Sequence, residues 1–299
     1  MSGFWPFEEN YQEYICCCLA EKISDVQIEK WLGNFSGRYF ESVESEKKLA
    51  LWLLAHFTYY TYDDVRILYR NIFNQYLHEK LYGYKGDNLA KIITEIIEET
   101  IFIGLGNDSE SGNNILYYFR QENQLSKSCF EIDRERNYRN LVYIDDVTIS
   151  GEQALTYIKS RNIKAENTYA ALMIATEQAV HRLTDTKVKP ITALVLDERD
   201  RAFSESAYVF SDKRIAEIKP IAQKFCQLYG ELAVKKGGYM ENYPLGFDNG
   251  QYMLGFEYNT PDNTLPIFWG MGDGWVPLFK RYQKIYNGKE YLLDARKYY

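Results

Sequence analysis

Histidine is scarce in this chain and cysteine forms no ligand pattern. Only three histidines occur in 299 residues, His56, His78 and His181. No His-x-x-x-His or Cys-x-x-Cys spacing accompanies them, so zinc ligation and triad catalysis are both poor readings. The five cysteines include the run Cys16-Cys17-Cys18 inside an apparently helical segment. Neighbouring helical positions point about 100° apart, which suits neither a shared metal site nor a disulfide framework and fits reduced, partly buried thiols. No stretch reaches the ~18 uninterrupted apolar residues of a membrane span. Residues 1–9 have no basic leader and no long apolar core, so a secretory signal is not expected and a cytoplasmic location is. An excess of positive charge is missing as well: 35 Lys and Arg stand against 42 Asp and Glu, a net charge of −7. That balance argues against broad nonspecific nucleic-acid binding. It leaves room for a local basic groove and for small anions held by helix termini or single basic residues. No internal repeat is visible at any useful period.

What is present is a globular composition, 46% hydrophobic and 26% charged, in a chain long enough for one large domain or two modest ones. Residues ~8–100 read as helical by period. Apolar residues fill Leu49-Ala50-Leu51-Trp52-Leu53-Leu54-Ala55 and recur at Val65, Leu68, Tyr69, Ile72 and Tyr76. After a glycine break at 83–86 they continue at Leu89, Ile92, Ile93, Ile96 and Ile97. Such stripes are packing surfaces far more often than cofactor boxes. Residues 1–99 are therefore expected to form a helical lid or partner-binding region with no chemistry of its own.

From Thr100 short apolar runs alternate with helical ones. Strands are expected at 101–106, 141–144, 169–175 and 191–197, and helices at 113–119, 152–161, 177–183 and within 212–234. That alternation implies an α/β fold with a parallel sheet and right-handed crossovers, here spanning 100–299. Beyond Gly237 a strand is expected at 252–258. An aromatic segment follows in which Gly270, Gly272 and Gly274 flank Trp275. It reads either as a loop covering a site or as turns closing the core.

The most informative stretch is Leu141-Val142-Tyr143-Ile144-Asp145-Asp146-Val147-Thr148-Ile149-Ser150-Gly151-Glu152-Gln153. A buried strand that ends in two carboxylates delivers them to the carboxyl edge of a sheet, where open α/β folds bind ligands. The turn after it exposes backbone N–H groups at a helix N-terminus, ready for a phosphate. Acids for ribose hydroxyls beside amides for a 5′-phosphate describe a ribose-5-phosphate clamp. The same residues are also compatible with acids that merely cap the next helix, or with the strand-end acids of phosphatase-like and receiver-like folds. A second loop, Gly104-Leu105-Gly106-Asn107-Asp108-Ser109-Glu110-Ser111-Gly112, lies between a strand and a helix. Ser111 and Gly112 either offer a hydroxyl and unhindered amides to a ligand or form an N-cap with a glycine turn.

The 141–153 stretch resembles the PRPP-binding loop of type I phosphoribosyltransferases. Asp145, Asp146, Ser150 and Gly151 fall on that pattern, with Ser150 where Thr is usual; Gln153 departs from it, because the family has Thr or Ser there. The resemblance implies a phosphoribosyltransferase-like core with a helical N-terminal region. It also implies that Asp145 and Asp146 bind the ribose 2′- and 3′-hydroxyls, meeting Mg²⁺ only indirectly through the ligand. Thr148, Ile149, Ser150, Gly151, Glu152 and Gln153 would then surround the 5′-phosphate, and Ser111-Gly112 would face pyrophosphate. The segment 127–140, with Arg134, Arg136 and Arg139 among acids, stands where the family has a mobile loop over the leaving group; its charge balance reads equally as a solvated hairpin. A flat base in such a site would stack on an aromatic ring. That places Trp269 or Trp275 at the mouth, with Trp275 favoured by its glycine neighbours.

The wider resemblance joins Ser111-Gly112, Tyr118-Phe119-Arg120, the acid pair and residues 259–269. It is to a divergent prokaryotic branch associated with biological-conflict loci, including retron-type anti-phage systems. It implies an effector that binds PRPP or a 5′-nucleotide and performs phosphoribosyl transfer or N-glycosidic cleavage. A defence-system partner is implied with it, a reverse transcriptase with its RNA–DNA complex or another protein. A catalytically inactive PRPP or nucleotide sensor that regulates a partner, and a pure interaction protein, are the alternative classes.

Overall fold

The computed structural model describes residues 23–106, 112–133, 138–161, 163–235, 242–279 and 281, with backbone alone for 112–114. Among the described residues four helices fill the N-terminal region: α1 (Asp25–Leu32), α2 (Val43–Ala55), α3 (Tyr62–Leu81) and α4 (Leu89–Glu98). Each starts where a short polar side chain caps it, respectively Ser24, Ser42, Thr61 and Asn88. Thr61 forms a full capping box with Asp64. Between α2 and α3 the helical expectation fails: β1 (Thr58–Tyr60) is a short strand, as its β-branched and aromatic residues favour.

The sheet follows. In chain order come β2 (Thr100–Gly104), α5 (Gly112–Glu122), a one-turn helix at Lys127–Phe130 and β3 (Tyr138–Thr148). Then come α6 (Glu152–Arg161), β4 (Ala165–Thr176), α7 (Glu177–Thr184) and β5 (Val188–Leu196). The strands lie in the order β2-β3-β4-β5, all parallel. Their near-continuous apolar runs match a sheet covered on both faces. On one face Val142 and Ile144 of β3 meet Tyr69, Ile72 and Phe73 of α3 and Ile115 and Phe119 of α5. On the other, Leu141 and Tyr143 meet Ala154 and Leu155 of α6 and Ala179 and Leu183 of α7. A helix from the N-terminal region thus covers one face of the sheet.

Beyond β5 the described residues form α8 (Lys213–Ala216), α9 (Lys219–Val234) and β6 (Leu254–Phe256). The strand expected at 252–258 is short and leaves the main sheet; it pairs with β1 instead, Thr58 with Leu254 and Tyr60 with Phe256. A separate core joins Trp31, Leu53, Phe225, Tyr229, Phe268 and Trp275. Buried Glu46 anchors it. Its carboxylate accepts the N–H groups of Gly37 (2.6 Å), Tyr39 (2.7 Å) and Phe40 (2.9 Å) and the Tyr229 hydroxyl. The hairpin reading of 127–140 is also corrected. Phe130 stacks on Phe102 of β2 at 5.5 Å, and Tyr138–Asn140 already belong to β3. Arg139 pairs with Glu99 at 2.7 Å, while Arg134 and Arg136 lie outside the described residues. Among the described residues no helix is long and apolar enough to cross a membrane.

Candidate functional site

β3 does not stop where its apolar run does. Its ladder with β4 continues through Asp145–Leu172, Val147–Ile174 and Thr148–Ala175, so the two acids sit in the last rungs at the carboxyl edge. Asp146 is 7% exposed and Asp145 half-buried. Asp145 Oδ1 accepts the Asp146 N–H at 3.0 Å, and its Oδ2 accepts the Thr148 hydroxyl at 3.4 Å. Asp146 Oδ1 accepts the Val147 N–H at 2.8 Å, and its Oδ2 accepts the Tyr258 hydroxyl at 3.2 Å. Burial raises Asp145 well above the usual carboxylate range, and the charge of Asp146 adds to it. Burial raises Asp146 too, against the Val147 and Tyr258 donors. No ion pair joins either acid to a lysine, arginine or histidine among the described residues. One buried and one half-buried carboxylate, neither paired with a cation among the described residues, favour a ligand that brings hydroxyl donors or positive charge.

The loop after the acids is held from behind. Gly151 has φ +73°, and a Cβ there would meet Ala179 Cα at 3.2 Å and Ala179 O at 3.3 Å. Only glycine combines that left-handed turn with so close an approach to α7. The Thr176 hydroxyl donates to the Ile149 carbonyl and accepts the Ala179 N–H at 3.1 Å. Ser150 Oγ accepts the Glu152 N–H at 3.3 Å, and the Gly151 carbonyl accepts the Leu155 N–H at 3.1 Å. Glu152 is exposed and pairs with Arg182 at 3.7 Å; Gln153 is exposed as well. Beyond Glu152, the N–H groups in the first turn of α6 have no partner within the helix.

The second loop starts next to the pair. The Leu105 N–H donates to the Ile144 carbonyl at 2.8 Å, which carries β2 pairing up to the residue before Asp145. Gly106 follows with φ +107°, Gly112 opens α5, and Ser111 lies outside the described residues. The structure therefore brings the start of this loop to the acids.

Trp275 is a correction. Its ring is 9% exposed and packs against Phe35 (5.9 Å) and Tyr229 (6.1 Å) in the core of α1, α2 and α9. Two of the glycines before it reflect close packing: the Gly272 N–H donates to the Ala233 carbonyl at 2.7 Å, a Cβ there would meet Leu232 O at 2.1 Å, and one at Gly270 would meet Ala233 O at 2.5 Å, whereas Gly274 has open space and a left-handed φ of +78°. Trp269 is buried as well, donating to the Thr264 carbonyl at 2.8 Å. The aromatic rings near the acids are tyrosines. Tyr62 lies 6.2 Å from Tyr258 and 6.0 Å from Tyr118, and Tyr258 stacks on Phe256 at 5.2 Å. Burial, then the charges of Asp146 and Asp145, raise the Tyr69 phenol. Sequence reasoning missed Tyr62, Tyr258 and Thr176. Only Thr176 carried a signal, a capping residue directly before Glu177.

No group of three His, Cys, Asp or Glu suited to a metal ion occurs among the described residues. A cavity of about 810 Å³ opens between α3 and the first half of β5, lined by Glu79, Tyr169, Lys189 and Ile191 among others, and shares no residue with the acid pair.

The family model described as PRTase-CE matches residues 28–281. Curated proteins give no match. Similar solved structures include the orotate phosphoribosyltransferase from Aeropyrum pernix, at 14% identity over 35% of this chain and 65% of that one, with a TM-score of 0.26. Another is the Mycobacterium tuberculosis H37Rv orotate phosphoribosyltransferase in complex with 5-phospho-alpha-D-ribosyl 1-diphosphate (PRPP), at 9% identity over 57% and 96%, TM-score 0.29. The Leishmania donovani UMP synthase is similar at 12% identity over 69% and 42%, TM-score 0.31. The chain spans less than two thirds of the Aeropyrum protein, at 65% of its length.

Proposed function

The chain belongs to the PRTase-CE family, a phosphoribosyltransferase-like family, and from that premise we propose that it binds PRPP or a 5′-nucleotide with Mg²⁺ and transfers the phosphoribosyl group or cleaves the N-glycosidic bond. The observation that carries this reading is the pair of adjacent carboxylates, Asp146 buried and Asp145 half-buried and neither ion-paired among the described residues, in the last rungs of β3, one turn from the N-terminus of α6. Asp145 and Asp146 accept the ribose hydroxyls through charge-assisted hydrogen bonds. Their negative charge lies beside the ribose as its C1 becomes electron-poor. In transfer, the bond from C1 to pyrophosphate breaks and the electron pair leaves with pyrophosphate. A ring nitrogen of the acceptor base then bonds to C1 and loses its proton to solvent. Cleavage breaks the C1–N bond instead, with water adding its hydroxyl to C1 and its proton to the departing base.

The donor set fits Mg²⁺, a hard cation that takes oxygen ligands and keeps several waters. Asp145 and Asp146 would meet it only indirectly, through the ligand, and when bound it would supply neutralisation of the pyrophosphate charge. The loop from Thr148 to Gln153 meets the 5′-phosphate, and Ser111-Gly112 meets pyrophosphate. The reading extends to a role in prokaryotic anti-phage defence with a partner protein or nucleoprotein complex, and the resemblance to conflict-associated phosphoribosyltransferases supports it.

A second reading is a sensor that keeps the clamp without turnover. Gln153 standing for the usual hydroxyl residue favours it, as does the Tyr258 hydroxyl already on Asp146. Purified protein incubated with Mg²⁺, PRPP, free bases and 5′-nucleotides, with products read by mass spectrometry, separates the two. Net conversion supports the enzyme, and thermal stabilisation without conversion supports the sensor. Neither effect with any phosphorylated ligand would sink both.

A further inference from the structure

We infer that Thr176 is a positioning residue for the 5′-phosphate loop: it holds the peptide between Ile149 and Ser150 in the one orientation that turns an N–H toward a phosphate. This rests on the ribose-5-phosphate reading above and assigns a role to a residue outside the loop itself. Thr176 ends β4 and is 5% exposed. A hydroxyl has one proton to donate. Thr176 gives that proton to the Ile149 carbonyl and uses a lone pair on the Ala179 N–H at 3.1 Å. One side chain thus caps α7 and ties the loop down on the cap.

A trans peptide is planar with its C=O and N–H pointing in opposite directions. With the Ile149 carbonyl drawn toward β4, the Ser150 N–H faces away from it, onto the open side of the loop. Gly151 adds a second tie at the same place, since a Cβ there would stand only 3.2 Å from Ala179 Cα, on a left-handed backbone that itself favours glycine. The N-termini of α6 and α7 therefore meet at this loop, and both carry partial positive charge. Without the Thr176 hydroxyl nothing in the described surroundings fixes the Ile149 carbonyl. A flipped peptide would aim that carbonyl, a negative dipole end, at the phosphate.

The test compares full-length wild type, Thr176→Val and Thr176→Ser by calorimetry with Mg²⁺ present, using PRPP, ribose 5-phosphate, a 5′-nucleotide and the matching nucleoside. Thr176→Val should weaken the phosphorylated ligands by about tenfold or more and leave the nucleoside nearly unchanged. Thr176→Ser should restore binding, which a merely structural role for the β-branched side chain would not allow. If Thr176→Val does not fold, Thr176→Cys, whose thiol is a weak donor, should show the same selective loss. Equal affinity in Thr176→Val and wild type, or parallel loss of phosphorylated and unphosphorylated ligands, overturns the assignment while leaving the site reading intact. A folded wild type that binds no phosphorylated ligand overturns both.

Discussion

The hydroxyl of Tyr258 donates to Asp146 Oδ2 at 3.2 Å, joining two residues 112 positions apart. The segment after β6 therefore touches the acid pair, and Tyr258 does so from a stack on Phe256, which itself stacks on Tyr60 of β1 at 5.4 Å. Tyr258→Phe removes the hydroxyl and keeps the stack. It should lower unfolding free energy by about 1–3 kcal/mol, the cost of withdrawing a donor from a buried acid. In a double-mutant cycle with Asp146→Asn, urea titrations should return a coupling well above experimental scatter. Additive losses would show that the contact has no energetic content.

Replacing both acids, Asp145→Asn with Asp146→Asn, should abolish PRPP binding in a folded protein, each lost charge-assisted bond being worth about 1.5–3 kcal/mol. The same variant carries a pH signature. A carboxyl whose pKa is raised by folding binds more protons folded than unfolded, so its contribution to stability falls as pH rises from ~4, the unfolded value, toward the raised one. Burial raises both acids, so the variant's melting temperature should gain on wild type as pH climbs from 4 to 7. A gap that does not change with pH rejects the electrostatic account, and unchanged PRPP affinity removes the pair from the site.

Gly151→Val should cost stability by about 1–2 kcal/mol from the left-handed backbone alone, before the contact with Ala179 is counted. Its ligand signature is the sharper one. Binding of 5′-phosphorylated ligands should fall more than binding of the corresponding nucleosides, because the loop amides are displaced. Equal losses for both would mean a general folding defect.

Tyr62 and Trp275 should behave oppositely. Tyr62 is 41% exposed beside Tyr258 and Tyr118, so Tyr62→Ala should weaken nucleotide binding by about 1–3 kcal/mol of lost stacking and spare PRPP, which has no base. Trp275→Ala should instead cost about 3–5 kcal/mol of stability, without distinguishing the two ligands. A nucleotide-selective effect at Trp275, paired with none at Tyr62, would reverse the assignment.

The parts of this architecture that sequence reading reached are those written in local pattern. The runs at 101–103, 141–144 and 169–175 are long and apolar enough to announce buried strands, and the acids after Ile144 mark the carboxyl edge. What it missed depends on distance. Nothing in Thr58-Tyr59-Tyr60 or Leu254-Gly255-Phe256 says that they pair with each other, since three residues carry too little periodicity to name a partner. Tyr258 has no local signature of an acid's donor. The glycines near Trp275 misled for a physical reason: glycine serves a flexible loop and a tight backbone contact equally well, and at Gly272 it is the contact that applies.

Because β1 pairs with β6 while α3 covers one face of the sheet, residues 23–99 are not an appendage that can be removed. They are the middle ply of the molecule, with the sheet on one side and the C-terminal core on the other. A fragment beginning at residue 100 would bare Val142, Ile144 and Ala171 to water and leave β6 with no neighbour. The same α3 that covers the sheet also carries Tyr62, which lies 6.2 Å from the Tyr258 ring whose hydroxyl donates to Asp146, so the N-terminal helices border the acid pair as well as the core.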